Sequence, residues 1–350
     1  MLPTESIRNR SAGPKPSEAP SLSLDASFTE IEACAEASGW DLELRQLSAG
    51  RLRGRVRLLG GAQFTAMKVD LNQVYHQIGQ VLPGHLAFGL PDPSCGEFVW
   101  CGSTVRGGGL LNFNQAAGFE GTSGRSFSGR VLLFERESLE ALAETLALRV
   151  DLDDLPRCGG TLAIASEETA HLRAQYDLAF RLASEPRPAG LVEAPPLPEN
   201  GGAESILRLI APFSGERPNS VQPVRRAALR RALEVLDARE NYPITVARLC
   251  ALVGVSAPSL YRAFRDEFGV SPKRYIRSRI LSAVRSELLA ASPGTQINDV
   301  ANAWGVWHMG KFAADYRNLF GELPSETLGR PRERKTAPQS GAVIARWSGK

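Results

Sequence analysis

The sequence predicts an α+β protein in two parts: an N-terminal β-barrel or sandwich with appended helices, and a C-terminal all-helical domain built from two helix-turn-helix units joined by a long helix. Three observations predict this. From about residue 27 to 135 short runs alternate apolar and polar residues, the period of half-buried strands. Between residues 244 and 328 one helical pattern is written twice. A stretch rich in Pro and Gly, 186–222, stands between the two regions. A chain of 350 residues with 43% apolar content can bury two cores.

Residues 1–26 are rich in Pro, Ser and Ala and lack an apolar h-region, so they read as a disordered leader and not as a secretory signal. The β-rich domain is expected over 27–185. It opens with a hairpin signature, Leu42 and Leu44 followed by Leu52, Val56 and Leu58, with Ser48-Ala49-Gly50 as the turn. Further strands are expected over 63–71, 85–90, 97–105, 110–114 and 126–134. An amphipathic helix carrying Leu139, Leu142, Ala143, Leu146 and Val150 follows, and another over 167–182. Strands first and helices afterwards favour a barrel or sandwich with helices laid on it.

Within that domain Arg51, Arg53, Arg55 and Arg57 alternate with other residues and project from one strand face. They form either an anion-binding face or a solvated face balanced by carboxylates such as Glu43. Phe88, Phe98, Trp100 and Phe113 are candidates for a pocket lining, and equally for core. No effector residue is assigned.

Catalysis is not required by anything in the sequence, and no enzyme is expected. A metal-binding barrel needs several closely spaced donors, whereas His76 and His85 stand without an H-x-H pair. The segment from Gly121 to Gly124 lacks the serine of a nucleophile elbow and reads as a loop. Five cysteines (Cys34, Cys95, Cys101, Cys158, Cys250), odd in number and without C-x-x-C, argue for a reducing compartment and against a zinc module. No apolar run approaches the ~20 residues of a membrane span, so a cytoplasmic protein is expected, with no cofactor and no metal.

Residues 186–222 are expected to be a semi-rigid linker around a short apolar run, 206–210. The helical domain is expected over 223–331, starting with a helix at 224–236. Its first repeat contains Val246, Leu249, Leu252 and Val253 in one stripe, then Gly254, then Leu260, Phe264 and Phe268 at steps of four. Its second contains Ile297, Val300, Ala301 and Trp304, then Gly305, then Phe312, Tyr316 and Phe320. Leu260, Phe264, Phe268, Gly269 and Pro272 lie 52 residues before their counterparts, but Gly254 and Gly305 are 51 apart, so the second turn holds one extra residue. Both glycines suit a left-handed helix terminus. Pro272 starts the connecting helix, which turns Ile276, Ile280, Val284 and Leu288 inward. Residues 332–350 read as a basic tail.

Charge divides in the same place. Residues 221–350 hold 21 Lys and Arg against 11 Asp and Glu, a net +10, while residues 1–220 hold 20 against 27, a net −7. The basic half contains the repeat, as a phosphate-binding module would.

Residues from about 230 to 331 resemble the DNA-binding domain of the AraC/XylS family of bacterial transcription regulators. The likeness is carried by Pro272, Tyr275, Ile276, Arg279 and Leu281, and by Trp304-Gly305, Phe312, Tyr316, Phe320-Gly321 and Pro324. The N-terminal half resembles that family's barrel-like, cupin-like sensor through Gln46 to Gly50, Gly84 to Gly89 and Trp100-Cys101-Gly102. The resemblance implies a regulator, more often an activator, with double-stranded DNA, a small-molecule effector and RNA polymerase as partners, a dimer contact in the N-terminal domain, and a place at the nucleoid. The alternatives are a constitutive DNA-binding protein whose N-terminal domain only dimerises, and an enzyme fused to a DNA-binding tail.

In a helix-turn-helix the second helix enters the major groove and its early exposed residues meet base edges. The first unit offers Ala257, Pro258, Ser259, Tyr261 and Arg262 there, with Arg262 suited either to a bidentate guanine contact or to a phosphate. The second offers His308, Met309, Lys311 and Ala314; family members often place a basic or amide group near Ala314, so this unit departs from the pattern. Arg265, Lys273, Arg274, Arg277, Arg279 and Arg317 are expected at phosphates.

Overall fold

A computed structural model describes residues 21–38, 40–60, 64–114, 118–153, 155, 166–184, 199–213 and 223–330. The N-terminal half runs β1 (Ser21–Phe28), α1 (Ile31–Ser38), β2 (Asp41–Gln46), β3 (Gly54–Gly60), β4 (Phe64–Leu71), β5 (Tyr75–Gln80), β6 (His85–Pro91), β7 (Glu97–Trp100), β8 (Ser103–Arg106), β9 (Leu111–Asn112), β10 (Phe119–Thr122) and β11 (Phe127–Glu135). Then come α2 (Arg136–Thr145), α3 (Glu167–Ser184) and α4 (Ala203–Ile210). From residue 223 to 330 the described elements are helices: α5 (Pro223–Asp237), α6 (Val246–Val253), α7 (Ala257–Phe268), α8 (Pro272–Leu289), α9 (Ile297–Ala303), α10 (Met309–Phe320) and α11 (Pro324–Leu328).

The strands form two antiparallel sheets, one in the order β1-β3-β4-β11-β6-β9 and the other β2-β5-β10-β7-β8. The predicted hairpin between residues 42 and 58 does not exist. β2 pairs with β5 (Leu44 opposite Gln77), whereas β3 pairs with β1 and β4 (Val56 opposite Val69). Both runs alternate correctly, but the segment between them carries the chain from one sheet to the other, so Leu42, Leu44 and Val56 meet across the interior instead of side by side. The expected strand over 97–105 is the hairpin β7 and β8, with Cys101 and Gly102 at positive φ in its two-residue turn. Gly121, expected in a loop, lies in β10.

Apolar side chains of the two sheets meet around Trp100, Phe113 and Phe119, whose rings pack at 4.5 to 5.6 Å between centroids. A second core lies behind the six-stranded sheet, where Phe88, Leu132 and Phe134 meet Leu139 of α2, Tyr176 and Phe180 of α3, and Ile206 and Ile210 of α4. Of the four pocket-lining candidates, Phe98, Trp100 and Phe113 face the interior between the sheets and Phe88 faces this second core.

Asp177 fastens α3 to the sheet by accepting from Lys68 at 2.5 Å and from the buried Arg130, which also pairs with Asp92. The expected linker is partly domain: residues 206–210 belong to α4, whose apolar face is fully covered, because a run of Ile, Leu and Ile three and four apart is a buried helical stripe even between flexible flanks. Residues 21–26 of the expected leader form most of β1, with Leu24 and Phe28 packed inward. Its first 20 residues, the rest of the linker, Cys158 and the tail from 331 lie outside the described residues.

The arginine row divides: Arg51, Arg53 and Arg55 are exposed, whereas the Arg57 side chain is only 12% exposed and lies 5.5 Å from the centre of the Phe180 ring. Arg55 makes two 2.7 Å hydrogen bonds to Asp25 and Arg57 reaches Asp70 at 3.2 Å, while Glu43 pairs with Arg45 instead. Among the described residues no group of three or more His, Cys, Asp or Glu is placed to hold a metal, and no helix is long and apolar enough to cross a membrane.

Candidate nucleic-acid interface

Both helices of the first repeat are capped by side chains, whereas Gln296 and His308 make no such bond in the second. Thr245 accepts from the backbone N–H of Arg248 and Ser256 from that of Ser259, which satisfies donors left unpaired at the starts of α6 and α7; such caps are worth about 1 kcal/mol. Gly254 and Gly305 hold φ near +75° and +73° after α6 and α9. Gly305 has a second constraint, since a Cβ there would stand 2.4 Å from Cβ of Pro243. Leu260, Phe264 and Phe268 of α7, and Phe312, Tyr316 and Phe320 of α10, are buried as the spacing requires, as are Ile276, Ile280, Val284 and Leu288 of α8. Leu252 is the exception: it was placed in the buried stripe of α6 and is 50% exposed.

The outward face of α7 presents Ala257, Pro258, Ser259, Tyr261 and Arg262 together. The Ser259 hydroxyl is 2.9 Å from that of Ser256, so it serves the cap as well as the surface. On α10 His308 is exposed at the N-cap and its side chain makes no capping bond. Met309 is half-buried against the helical core, which withdraws it from the expected reading surface. Lys311 is exposed and lies 3.2 Å from Asp315 one turn later.

The phosphate candidates divide. Lys273 and Arg317 are exposed. Arg265 and Arg274 are exposed too, but line a cleft of about 400 Å³ between the α7–α8 turn and β7, β8 and β10. Arg277 bonds Asp315 at 2.9 and 3.0 Å, tying α8 to α10, and Arg279 pairs with Asp237 of α5. Carboxylates of other helices thus engage both guanidiniums, Arg277 remaining 30% exposed and Arg279 13%, so neither is the unpaired cation expected at the phosphates: charge and helical position are legible in sequence, but a carboxylate arriving from another helix is not.

The two halves of the molecule meet along β2, and nothing in the sequence pattern pointed to this contact. Gln46 donates to the carbonyl of Leu319 at 2.6 Å and accepts from Ser278 through its own carbonyl at 2.5 Å. The N–H of Gly50 donates to Asn318 at 3.1 Å, and Leu47 enters the core of the helical half. Arg45 and His76 converge on the hydroxyl of Tyr275, the first at 2.8 Å and the second at 3.1 Å. Burial pushes the Tyr275 phenol up to about 12, with Arg45 opposing, so it stays protonated and donates. Arg285 joins Glu322 at 2.5 Å and Arg330 pairs with Glu30 and Glu322, so the last described residue is anchored to the rest of the molecule.

A duplicated helix-turn-helix with one exposed reading helix per copy, on the basic half of the chain, defines a DNA-binding regulator. Residues 249–330 match the family model described as a helix-turn-helix domain. The chain is 35% identical over 108 residues to the "Probable thc operon regulatory protein" of Rhodococcus erythropolis, covering 31% of this chain and 32% of that protein. It is 37% identical over 102 residues to the "XylDLEGF operon transcriptional activator" of Pseudomonas putida, covering 29% and 32%. A solved structure, a probable AraC family transcriptional regulator from Rhodopseudomonas palustris CGA009, is 36% identical over 30% of this chain and 98% of its own, with a TM-score of 0.28. The chain belongs to the AraC/XylS family of transcription regulators. The match spans about a third of the length of these curated relatives.

Proposed function

We propose that the protein binds double-stranded DNA at specific sequences through α7 and α10, activates transcription there by contacting RNA polymerase, and responds to a small effector held in its N-terminal domain. The observation that carries the reading is the pair of reading helices set on one connecting helix, α8, with Arg262 exposed on the first. Two such helices in successive major-groove segments would lie about 34 Å apart on one face of the duplex. Operon regulators and activators among the relatives support the regulatory role.

The effector part is supported by the apolar lining of a cavity between the two sheets, which at about 60 Å³ has to widen to take a small molecule. Trp40, Phe98, Trp100 and Phe127 make its wall apolar. Thr122 also faces it, and its buried hydroxyl has no hydrogen-bond partner among the described residues. The test is footprinting of the full chain on DNA upstream of neighbouring genes, followed by Arg262→Ala. That variant should weaken the footprinted site by about 1–3 kcal/mol and relax preference at one base pair. Equal loss on footprinted and random duplex would reduce Arg262 to a phosphate contact. A metabolite screen by thermal shift tests the effector: a binder raises the melting temperature, and a domain that only dimerises gives no response to any compound.

A further inference from the structure

We infer that Trp307 is the specificity-determining residue of the second reading helix, and that its indole meets a thymine methyl in the major groove. The inference rests on the DNA-binding reading above. Of the large hydrophobic side chains in the described residues Trp307 is the most exposed, at 67%, ahead of Leu252 at 50% and Tyr261 at 37%. Its place in the repeat explains why it is outside the core. Val255 donates to the carbonyl of Cys250 and Val306 to that of Ala301, both at 3.1 Å, so the two turns are equivalent up to that valine. The next equivalent residues are the N-caps Ser256 and His308, one residue further apart. The extra residue of the second turn is therefore Trp307, which has no counterpart in the first copy and no packing role inherited from it.

Apart from His308, exposed at the N-cap, the rest of this reading surface is small, half-buried or paired. Gly310 opens on free space, Ala314 is exposed, Met309 is half-buried and the Lys311 ammonium lies 3.2 Å from Asp315. A surface of this kind offers apolar contact where α7 offers a guanidinium. In the major groove the apolar feature that distinguishes one base is the thymine methyl. A water-exposed indole next to a reading helix gains by covering such a group, and burying one methyl corresponds to about a fourfold change in affinity.

The test uses the full chain and a duplex selected by it from a random pool, with affinity read by fluorescence anisotropy. Replacing thymines singly by deoxyuridine removes only the methyl. One or two such replacements should weaken the wild type about fourfold each and leave Trp307→Ala unaffected. Trp307→Ala should bind the selected duplex about five- to thirtyfold more weakly, match the wild type on random duplex, and be partly rescued by Trp307→Phe. The inference is overturned if no deoxyuridine replacement affects the wild type, or if Trp307→Ala loses equally on both duplexes. It is also overturned if the variant binds normally but activates less, which would assign the indole to a protein partner. A wild type that selects no sequence at all would instead remove the regulator reading itself, while loss in Arg262→Ala with none in Trp307→Ala would sink this inference alone.

Discussion

The hydroxyl of Tyr275, on the helix that joins the two reading units, stands 3.1 Å from Nδ1 of His76, on a central strand of the other half of the molecule. With a neutral imidazole the bonding around it closes in one way. Tyr275 donates to Nδ1 of His76 and accepts from Arg45 at 2.8 Å, while Nε2 of His76 faces Glu120 at 2.8 Å and donates to it. His76 is 1% exposed and lies edge-on to Phe268, 4.7 Å between centroids. Tyr275→Phe keeps the ring and removes the hydroxyl, which leaves a buried imidazole nitrogen and a guanidinium N–H without their partner. The expected cost is about 1–3 kcal/mol in urea unfolding. An unchanged midpoint would show that water replaces the hydroxyl.

Acid should release α3 from its sheet. Burial alone would raise the Asp177 carboxyl, but hydrogen bonds from Arg130 and Lys68 outweigh it and hold the group below the usual carboxylate range. A lowered folded value contributes stability that is present above the ordinary value of about 3.9 and is lost as pH falls through the folded value. Melting temperature should therefore drop between about pH 5 and pH 2 in the wild type, and the drop should be shallower in Asp177→Asn.

Two glycines with the same backbone conformation should tolerate alanine differently. Gly254 and Gly305 both have positive φ, but an added Cβ meets nothing within 4 Å at Gly254 and meets Pro243 at Gly305. Gly254→Ala should cost about 1 kcal/mol from the left-handed conformation alone. Gly305→Ala should cost more, by a further ~1–3 kcal/mol of overpacking, in the same denaturation experiment.

Asp315 restrains two cations of the basic half, Arg277 and Lys311. Asp315→Asn should free both toward the phosphates, so that affinity for random duplex rises and the slope of log affinity against log salt steepens by about one to two. A slope equal to that of the wild type would show that neither side chain reaches the backbone.

The helical half was legible because its signals are local. Steps of four in Leu260, Phe264 and Phe268, a cap, a glycine and Pro272 specify helix, turn and helix without reference to the rest of the chain, and the repetition of the pattern fixed the pairing of units. The β half was legible only as strands. Alternation at Leu42, Leu44 and Val56 states which face is buried, not which neighbour completes the ladder, and a turn at residues 48–50 serves equally for a hairpin or a change of sheet. β1 and α4 were obscured by Pro- and Gly-rich flanks. At the interface, exposure of Arg262 followed from helix phase, whereas the capture of Arg277 and Arg279 depends on carboxylates 38 and 42 residues away in the chain and belongs to tertiary structure. Trp307 was visible in the sequence as an offset of one residue; its exposure was not.

The strand β2 sits between the interior of one half and the machinery of the other. Leu42 and Leu44 line the cavity, while Arg45 and Gln46 bond to Tyr275, Ser278 and Leu319 on α8 and α10. Backbone in a strand moves as a unit, because each residue is bound to its neighbours by peptide geometry and to the adjoining strand by its ladder. Sliding or tilting that ribbon therefore shifts its contacts on α8, the helix joining the two units, and on α10, whatever sets it in motion.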